Sequence, residues 1–423
     1  MKRILLALVM LLIFTSFAFS QETEGLYVDA GQELGAISPY VYGANFGPLN
    51  VVPVDLIEQA KVSGIRFLRF PGGRWGDQND IREQQIDMFI RTANMIGAEP
   101  SIHVRLENGT PEAAAELVRY TNLEKEYNVR YWYVGNEPNL FNDYTTDVFI
   151  VQWRAIAEAM KAVDPTIILI GPDVSQYNGT PEVTQRDAAG RDWLREFLLA
   201  NGDLIDIVSV HRYPFPRGNQ STTIEDLRQN TAEWDNILPS LRALIQETTG
   251  RDLPVAITEA NSHWSAAVQG EATADSHYNA IWWADALGKL IEDDAFMVGY
   301  FDFQSGANRG GMGLLATFEV RPTYYVYQIY QQFGQTRLLS ESSVEGVSIY
   351  AATREDGALT LIVINLLDDA QSVPLQIDNF TGSEAAVYLF DAEHNVEAID
   401  PLPFAEEMTL QLPPQSITLY VFE

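Results

Sequence analysis

The 423-residue chain contains no cysteine and only five histidines. Without thiols it has no disulfide and no thiol chemistry, so its fold depends on its core alone. The histidines (His103, His211, His263, His277 and His394) show no spacing typical of metal ligands. Metal-dependent hydrolysis would need clustered His and Asp ligands, so neither a catalytic metal nor a cofactor is predicted.

Basic residues are also scarce: 27 Lys and Arg stand against 58 Asp and Glu, which gives a net charge of −31. Such a surface repels phosphate backbones and anionic membranes, so a nucleic-acid partner is not expected. The balance is also what an ordinary soluble exterior shows. The sequence makes no prediction about oligomeric state.

Long apolar runs are missing after the first twenty residues. Lys2 and Arg3 precede an apolar run from Ile4 to Phe19, and small residues at Ala18 and Ser20 suit signal peptidase. Residues 1–20 are therefore predicted to be a signal peptide cleaved before Gln21, which implies a secreted, periplasmic or extracellular protein. A membrane anchor is the alternative, but the run is short for a bilayer span.

The remaining chain alternates short apolar strands with amphipathic helices, which is typical of a parallel sheet buried on both faces. Eight such units between residues 39 and 334 predict an α/β fold, a closed (β/α)8 TIM barrel. An open doubly wound sheet would need a Gly-rich phosphate loop, which VYGANFGPLN does not provide. The predicted strands are Tyr40–Asn45, Ile65–Phe70, Pro100–Val104, Tyr131–Asn136, Ile167–Gly171, Ile207–His211, Val255–Glu259 and Val298–Phe303.

Residues 335–423 have a different sequence pattern, in which apolar and polar residues alternate with a period of two and Glu-Gly and Asp-Gly turns interrupt the alternation. This pattern predicts a C-terminal all-β sandwich domain. Residues 21–38 include the strand-like LYVDAGQELGAI, an N-terminal segment that is a candidate to pair with the sandwich.

Polar residues gather where the predicted strands end, which is the face of a TIM barrel that holds its active site. Glu137 ends the fourth strand, in YWYVGNEPNLF, and Glu259 ends the seventh, in LPVAITEANSHW. These strands lie across the barrel mouth, so the two carboxylates can converge. Facing carboxylates are what cleavage of a glycosidic bond requires. A single glutamate at a strand end is more often a structural hydrogen-bond acceptor, and it is the pair that favours catalysis.

The motif Gly135-Asn136-Glu137-Pro138, with Ile257-Thr258-Glu259 further along, resembles glycoside hydrolase clan A, the retaining (β/α)8 glycosidases. Many members carry a similar β-sandwich, so the resemblance covers the chain after residue 20. It implies that Glu137 is the general acid/base and Glu259 the nucleophile. It also implies that Asn136 contacts the 2-hydroxyl of the sugar.

Further substrate-binding residues follow from the same resemblance. It implies that Tyr213 orients Glu259, that Arg69 contacts the nucleophile, and that His103 and His211 line the site. Many members end strand eight with a tryptophan, whereas FDFQSGANRGG offers Phe303 and Gln304. Trp75 and Trp264 are the candidates for a replacement stacking face, and packing in the core is at least as good an interpretation of either one.

The sugar is left open. ISPYVYGANFG and LRFPGGRWGD resemble segments of the α-L-arabinofuranosidase, heparanase/β-glucuronidase and β-xylosidase/iduronidase families. A substrate carboxylate would call for basic residues at the mouth, for which Arg74, Arg105, Arg212 and Arg309 are candidates. The expected partner is an oligo- or polysaccharide; the alternative is a catalytically weak carbohydrate-binding protein on the same barrel.

Overall fold

The computed structural model describes residues 25–215, 222–265, 268–306 and 311–423. The predicted signal peptide, residues 1–20, lies outside this range. Among the described helices, none combines the length and the apolar character that a membrane span requires.

A closed barrel of eight parallel strands follows an N-terminal strand, β1 (Leu26–Ala36). The last barrel strand pairs with the first, which closes the sheet and excludes the open doubly wound alternative. The predicted fold class is therefore confirmed. The barrel strands are β2 (Gly43–Asn45), β3 (Phe67–Phe70), β4 (Glu99–Val104), β5 (Tyr131–Val134), β6 (Ile168–Val174), β7 (Ile207–Arg212), β8 (Val255–Ala260) and β9 (Met297–Tyr300).

Helices surround the barrel and bury their apolar faces against it. The helices are α1 (Ile57–Lys61), α2 (Trp75–Gln78), α3 (Glu83–Ile96), α4 (Pro111–Val118), α5 (Thr146–Val163), α6 (Trp193–Asn201), α7 (Ile224–Asn230), α8 (Trp234–Thr249), α9 (His277–Glu292) and α10 (Pro322–Tyr330). Single 3-10 turns occupy Pro39–Val41, Val54–Leu56, Pro138–Leu140, Pro181–Val183 and Thr231–Glu233, and a π-helical segment, Arg119–Glu124, extends α4.

The structure differs from the sequence prediction mainly at element ends. The first barrel strand begins at Gly43 and not at Tyr40, because Pro39–Val41 forms a 3-10 turn whose start is capped by the Ser38 hydroxyl. Helix α7 was not predicted because seven residues give little periodicity, although Thr223 caps it. Helix α10 was missed as well, since its sequence PTYYVYQIY is rich in residues that favour strands.

The C-terminal module is one continuous nine-stranded sheet that curls around its own core. Strand β1 joins it, antiparallel to β10 and parallel to β13. Side chains from both ends of the sheet, such as Val373 and Val387, share one apolar cluster. The remaining strands are β10 (Thr336–Ser342), β11 (Val347–Thr353), β12 (Leu359–Asn365), β13 (Gln371–Asp378), β14 (Glu384–Phe390), β15 (Asn395–Pro403), β16 (Glu407–Leu412) and β17 (Ser416–Phe422), in the spatial order β15-β14-β17-β12-β11-β10-β1-β13-β16.

The outer face of this sheet packs against the barrel helix α9. Ile362 and Leu419 belong to the same buried cluster as the barrel core. The hydroxyl of Tyr350 on β11 donates to Asp285 Oδ1 on α9 at 2.6 Å. A Cβ atom at Gly288 would lie 2.3 Å from the Tyr350 ring, so the close approach of sheet and helix requires glycine there. The sheet thus packs closely against the side of the barrel that α9 covers.

Candidate active site

Strand β5 ends in a turn that points Glu137 into the barrel mouth. Gly135 has φ 83°, and a Cβ atom there would lie 2.6 Å from the Leu106 side chain. Glu137 itself has φ 50° and ψ 54°, and Pro138 opens the following 3-10 turn. A left-handed backbone costs a residue other than glycine about 1 kcal/mol, and such strain is found preferentially at functional sites. The run of apolar residues therefore ends where the chain must turn a carboxylate outward.

Glu259, near the end of β8, is held by three hydrogen-bond donors. Its Oε1 accepts from Arg69 Nη1 at 2.7 Å and from the backbone N–H of Gly73 at 2.9 Å, and its Oε2 accepts from the Tyr213 hydroxyl at 2.8 Å. Burial and the charge of Glu259 raise the pKa of Tyr213 well above its ordinary value, so this hydroxyl remains a donor. The Glu259 side chain is only 4% exposed.

The two glutamates meet across the mouth with His211 between them. One carboxylate oxygen of each, together with a ring nitrogen of His211, all lie within 4.8 Å of one another. His211 Nδ1 is 3.2 Å from Glu137 Oε1 and 3.7 Å from Glu259 Oε2. The Glu137 side chain is 17% exposed, more than that of Glu259. The predicted convergence of carboxylates from opposite sides of the barrel is what the structure shows.

Arg69, on β3, is fully buried and connects the residues beneath the mouth. Its Nη1 donates to Asn45 Oδ1 at 3.0 Å as well as to Glu259, and its Nη2 donates to Asn136 Oδ1 at 2.8 Å and to Asp173 Oδ2 at 2.7 Å. The charge of this buried guanidinium is compensated by Asp173 and Glu259, whereas its Nε has no hydrogen-bond partner among the described residues. The position next to Glu259 that the resemblance implies for Arg69 is the one it occupies.

Asp173, near the end of β6, belongs to this buried group; it was among the polar residues predicted at strand ends, but no role was predicted for it. Besides Arg69, its carboxylate accepts from the hydroxyls of Ser209 and, at 2.6 Å, Thr258, and it lies 3.7 Å from His211 Nε2. Burial alone would raise the pKa of Asp173, but Arg69 and His211 outweigh burial and lower it. Asp173 is therefore ionised and balances two cations.

His211 is a cation near neutral pH. Burial disfavours the imidazolium, but the carboxylates of Glu259 and Asp173 outweigh burial and raise the pKa of His211 to about 9. The spacing of Glu137, His211 and Glu259 is also one that a divalent cation could bridge. A proton and a metal ion would compete for the same imidazole nitrogen, because only the neutral ring binds a metal.

Asp77 is a second buried acid whose role sequence reasoning missed. Its Oδ2 accepts from the backbone N–H of Asn136 at 2.7 Å, and its Oδ1 accepts from that of Leu106 at 2.8 Å. His103 Nε2 lies 3.5 Å from Asp77, and the other nitrogen of that ring is 3.3 Å from the carbonyl oxygen of Pro71. His103 is thus enclosed below the loop after β3, where it supports Asp77 and is not exposed in the mouth.

The remaining predicted residues lie around the rim. Trp75 begins α2 and is half-buried against the core, whereas Trp264 lies in the loop after β8 and is 46% exposed. Gln304 is buried after β9, where its backbone pairs with Leu315. An aromatic residue that the sequence reasoning did not single out is the half-buried Phe301, whose ring lies 6.3 Å from that of Tyr213. Phe303, named in its place, is buried in the core.

Comparison with known proteins of related sequence gives two groups of relatives. A β-xylosidase of Geobacillus stearothermophilus is 25% identical over 261 residues, which cover 56% of this chain and 48% of that protein. A probable α-L-arabinofuranosidase C of Aspergillus clavatus is 24% identical over 209 residues, which cover 36% of this chain and 41% of the relative. The chain spans about half the length, or less, of these curated relatives.

Solved structures show the same fold over nearly the whole chain. The α-L-arabinofuranosidase from Thermotoga maritima has a TM-score of 0.76 at 18% identity, covering 94% of this chain and 99% of that one. A Paenibacillus polymyxa xyloglucanase from glycoside hydrolase family 44 has a TM-score of 0.73 at 16% identity, with coverage of 94% and 99%. At such identities the likeness concerns the fold.

Membership of a family follows from the sequence itself. The family model for glycosyl hydrolases family 39 matches residues 114–372, which is more than half of the chain and includes both Glu137 and Glu259. The resemblance to the retaining barrel glycosidases of clan A is confirmed. The chain belongs to glycosyl hydrolases family 39.

Proposed function

We propose that this protein is a retaining glycosidase that cleaves O-glycosidic bonds by double displacement, with Glu137 as acid/base and Glu259 as nucleophile. The observation that carries the proposal is the meeting of two carboxylates within 4.8 Å at the barrel mouth. Retaining enzymes place their carboxyl groups about 5–5.5 Å apart, whereas inverting enzymes need about 6.5–9.5 Å to admit a water. The gap here suits direct attack on the anomeric carbon.

The surroundings of the two acids support this division of roles. Glu259 faces three donors and is nearly sealed from solvent, which suits an ionised nucleophile that is fixed in place. Glu137 is more exposed and has His211 as its side-chain partner. A group that exchanges its proton with a leaving sugar and then with water needs that access.

The reaction has two steps. In the first, a Glu259 oxygen bonds to the anomeric carbon while the glycosidic C–O bond breaks, and Glu137 gives its proton to the departing oxygen. In the second, Glu137 takes a proton from a water whose oxygen attacks the same carbon and releases Glu259. Two inversions restore the starting configuration. Arg69, Gly73 and Tyr213 hold the attacking carboxylate throughout.

Asn136 is proposed to donate a hydrogen bond to the substrate. Its Oδ1 is fixed by Arg69 and its backbone by Asp77. The buried Nδ2 group makes no hydrogen bond with any residue that the structure describes. An orphaned buried donor calls for a partner, and a sugar hydroxyl next to the anomeric carbon is the partner that clan A implies.

The relatives direct the choice of sugar. A β-xylosidase and several α-L-arabinofuranosidases are among the proteins with related sequences. We propose glycosides of xylose or arabinose as the first substrates to test. Export is proposed as well, on the basis of residues 1–20. N-terminal sequencing of the protein recovered from the periplasm or medium is expected to begin at Gln21, and an intact N-terminus there would contradict cleavage at this site.

The test of function is a screen of 4-nitrophenyl glycosides with wild-type protein beside Glu259→Ala. Hydrolysis of one sugar that is lost in the variant, with NMR showing the starting anomer in the first product, is the expected result. Glu345→Ala, at an exposed glutamate in the β10–β11 hairpin, is the matched control and should act like wild type. Sugar binding without hydrolysis by the wild type would favour the carbohydrate-binding alternative. Unchanged activity in Glu259→Ala would exclude it as the nucleophile.

A further inference from the structure

We infer that a pocket beside Tyr213 is a second sugar subsite built for an uncharged residue, so that the substrate is a neutral oligosaccharide. This inference rests on the proposed function and names the substrate class of the same site.

The pocket shares a wall with the catalytic centre. It has a volume of about 380 Å³ and lies among the loops that follow β6, β7 and β8. Tyr213 is part of its lining, and the hydroxyl of the same residue donates to Glu259 at 2.8 Å. A sugar bound here would therefore be a neighbour of the ring that Glu259 attacks. Gln176, Asn178, Arg212 and Trp264 also line the pocket.

The lining combines an exposed indole with carboxamides. Trp264 offers a half-exposed aromatic face, on which the apolar face of a sugar ring can pack. Gln176 Oε1 accepts from Arg212, and Asn178 Oδ1 accepts from the backbone of Thr180. The amide N–H groups of these two side chains make no hydrogen bond within the described part of the chain, and they remain as donors for hydroxyl oxygens. This set suits a polyhydroxylated, uncharged ring.

Among the described lining residues the cation is Arg212, and its charge is already neutralised. Arg212 Nη2 donates to Glu233 Oε2 at 2.8 Å, and its Nε donates to the other oxygen of the same carboxylate. The edge of the guanidinium that would bind the carboxylate of a uronate is therefore already occupied by Glu233. A carboxylate on the sugar would have to displace Glu233 in a protein of net charge −31.

The other described arginines considered for a substrate carboxylate also lie near acidic groups, although neither makes a two-point pair like that of Arg212 and Glu233. Arg105 donates to Asp80 Oδ1 at 2.9 Å, and Arg74 lies 3.9 Å from Glu107. Arg309 lies outside the described residues. Each of the candidate arginines that the structure describes therefore has an acidic group nearby. This arrangement favours neutral glycosides over uronides as substrates.

The subsite is tested by comparing a short substrate with a long one. For wild type, Trp264→Ala and Trp264→Phe, kcat/KM is measured on 4-nitrophenyl β-D-xyloside and xylotetraose, or on 4-nitrophenyl α-L-arabinofuranoside and arabinotetraose. We expect Trp264→Ala to lose about tenfold more on the tetrasaccharide than on the aryl glycoside, and Trp264→Phe to recover most of that excess. Leu199→Ala, at an exposed leucine on α6, is the control for loss of an apolar surface side chain. Equal losses on both substrates would overturn the subsite.

The charge preference has its own measurement. A glucuronide that places glucuronic acid in the second subsite, next to a neutral sugar at the bond that is cleaved, should be hydrolysed at least about a hundredfold less efficiently than the all-neutral oligosaccharide. Comparable or better hydrolysis of the glucuronide would overturn the inference and leave the proposed function standing. If no glycoside is cleaved, the proposed function fails. Calorimetric titration of Glu259→Ala with the tetrasaccharides then tests the subsite independently of catalysis. The subsite is overturned if no tetrasaccharide binds, or if adding Trp264→Ala to this variant does not weaken binding.

Discussion

The barrel mouth and the C-terminal sheet bury their side chains in opposite ways. The inner face of the sheet encloses aliphatic and aromatic residues such as Val28, Leu361 and Phe422. The mouth buries Arg69 and Asp173 just as completely. Apolar burial stabilises a fold directly, whereas buried ion pairs at best offset their own desolvation. The sheet is therefore built for stability, and the polar group under the mouth is retained for what it does to Glu137 and Glu259.

Among the variants that test this comparison, Glu137→Gln is expected to reduce turnover the most. Loss of the acid should lower kcat by about 10³-fold on substrates with a poor leaving group. On a 4-nitrophenyl glycoside the first step needs little protonation, so a burst of nitrophenol should precede slow turnover. Stopped-flow absorbance measures the burst. Equal loss on both kinds of substrate, without a burst, would remove Glu137 from the role of acid.

A smaller effect is expected for Asp173→Asn, which keeps the shape of the side chain and removes its charge. Turnover should fall by about a hundredfold, because Arg69 and His211 lose the carboxylate that both of them face. The pKa of His211, now about 9, should fall, and the alkaline limb of the pH–rate profile should move to lower pH. An unchanged alkaline limb would show that Asp173 has only a structural part.

The same variant should change how stability depends on pH. The pKa of His211 is raised from 6.5 to about 9, so the folded protein binds more protons than the unfolded chain between these values. This contribution to stability is complete below pH 6.5 and is lost as the pH rises through 9. Thermal melts across this range should show a shallower fall for Asp173→Asn than for wild type.

Tyr213→Phe provides a matched comparison with a still smaller effect. It removes one of the three donors to Glu259 and leaves the pair of Asp173 and His211 in place. We expect kcat to fall about tenfold while the alkaline limb stays near its wild-type position. If the alkaline limb of the pH–rate profile moved as far as in Asp173→Asn, Tyr213 and Asp173 would not have the separate effects that the geometry indicates.

The smallest effect on turnover, and the largest on stability, is expected in the sheet. Leu361→Ala removes a fully buried side chain from the centre of β12. The free energy of unfolding should fall by about 3 kcal/mol, as urea denaturation measures, while kcat at a permissive temperature stays at the wild-type value. A matching fall in kcat would show that the sheet shapes the active site and would end the contrast between the two regions.

Sequence reasoning was strongest where a local pattern carries the information. All eight barrel strands were found, because each is a short apolar run that ends in polar or glycine residues. Glu137 and Glu259 stood out because each follows such a run. It was weakest where structure depends on neighbours, as at α10, whose tyrosines pack against the barrel core and override their preference for strands.

Asp77 and Asp173 show what a single sequence does not reveal. Asp77 lies in the turn after β3 and Asp173 near the end of β6, and nothing in either local sequence indicates which residues its carboxylate contacts. Asp77 is significant because its carboxylate joins the segments after β4 and β5. Asp173 is significant because Arg69 and His211, 104 and 38 residues away along the chain (173 − 69 and 211 − 173), both lie against it. Only the closure of the barrel brings such residues into contact.

The order of the eight barrel strands and the placing of one glutamate after β5 and another near the end of β8 were written in the sequence, because backbone periodicity and turn chemistry act over a few residues. The tertiary structure decided the distance between those glutamates, the charge state of His211 and the neutral character of the pocket beside Tyr213. These depend on electrostatic fields and contacts among side chains that are far apart in the chain, and such interactions exist only once the barrel has closed.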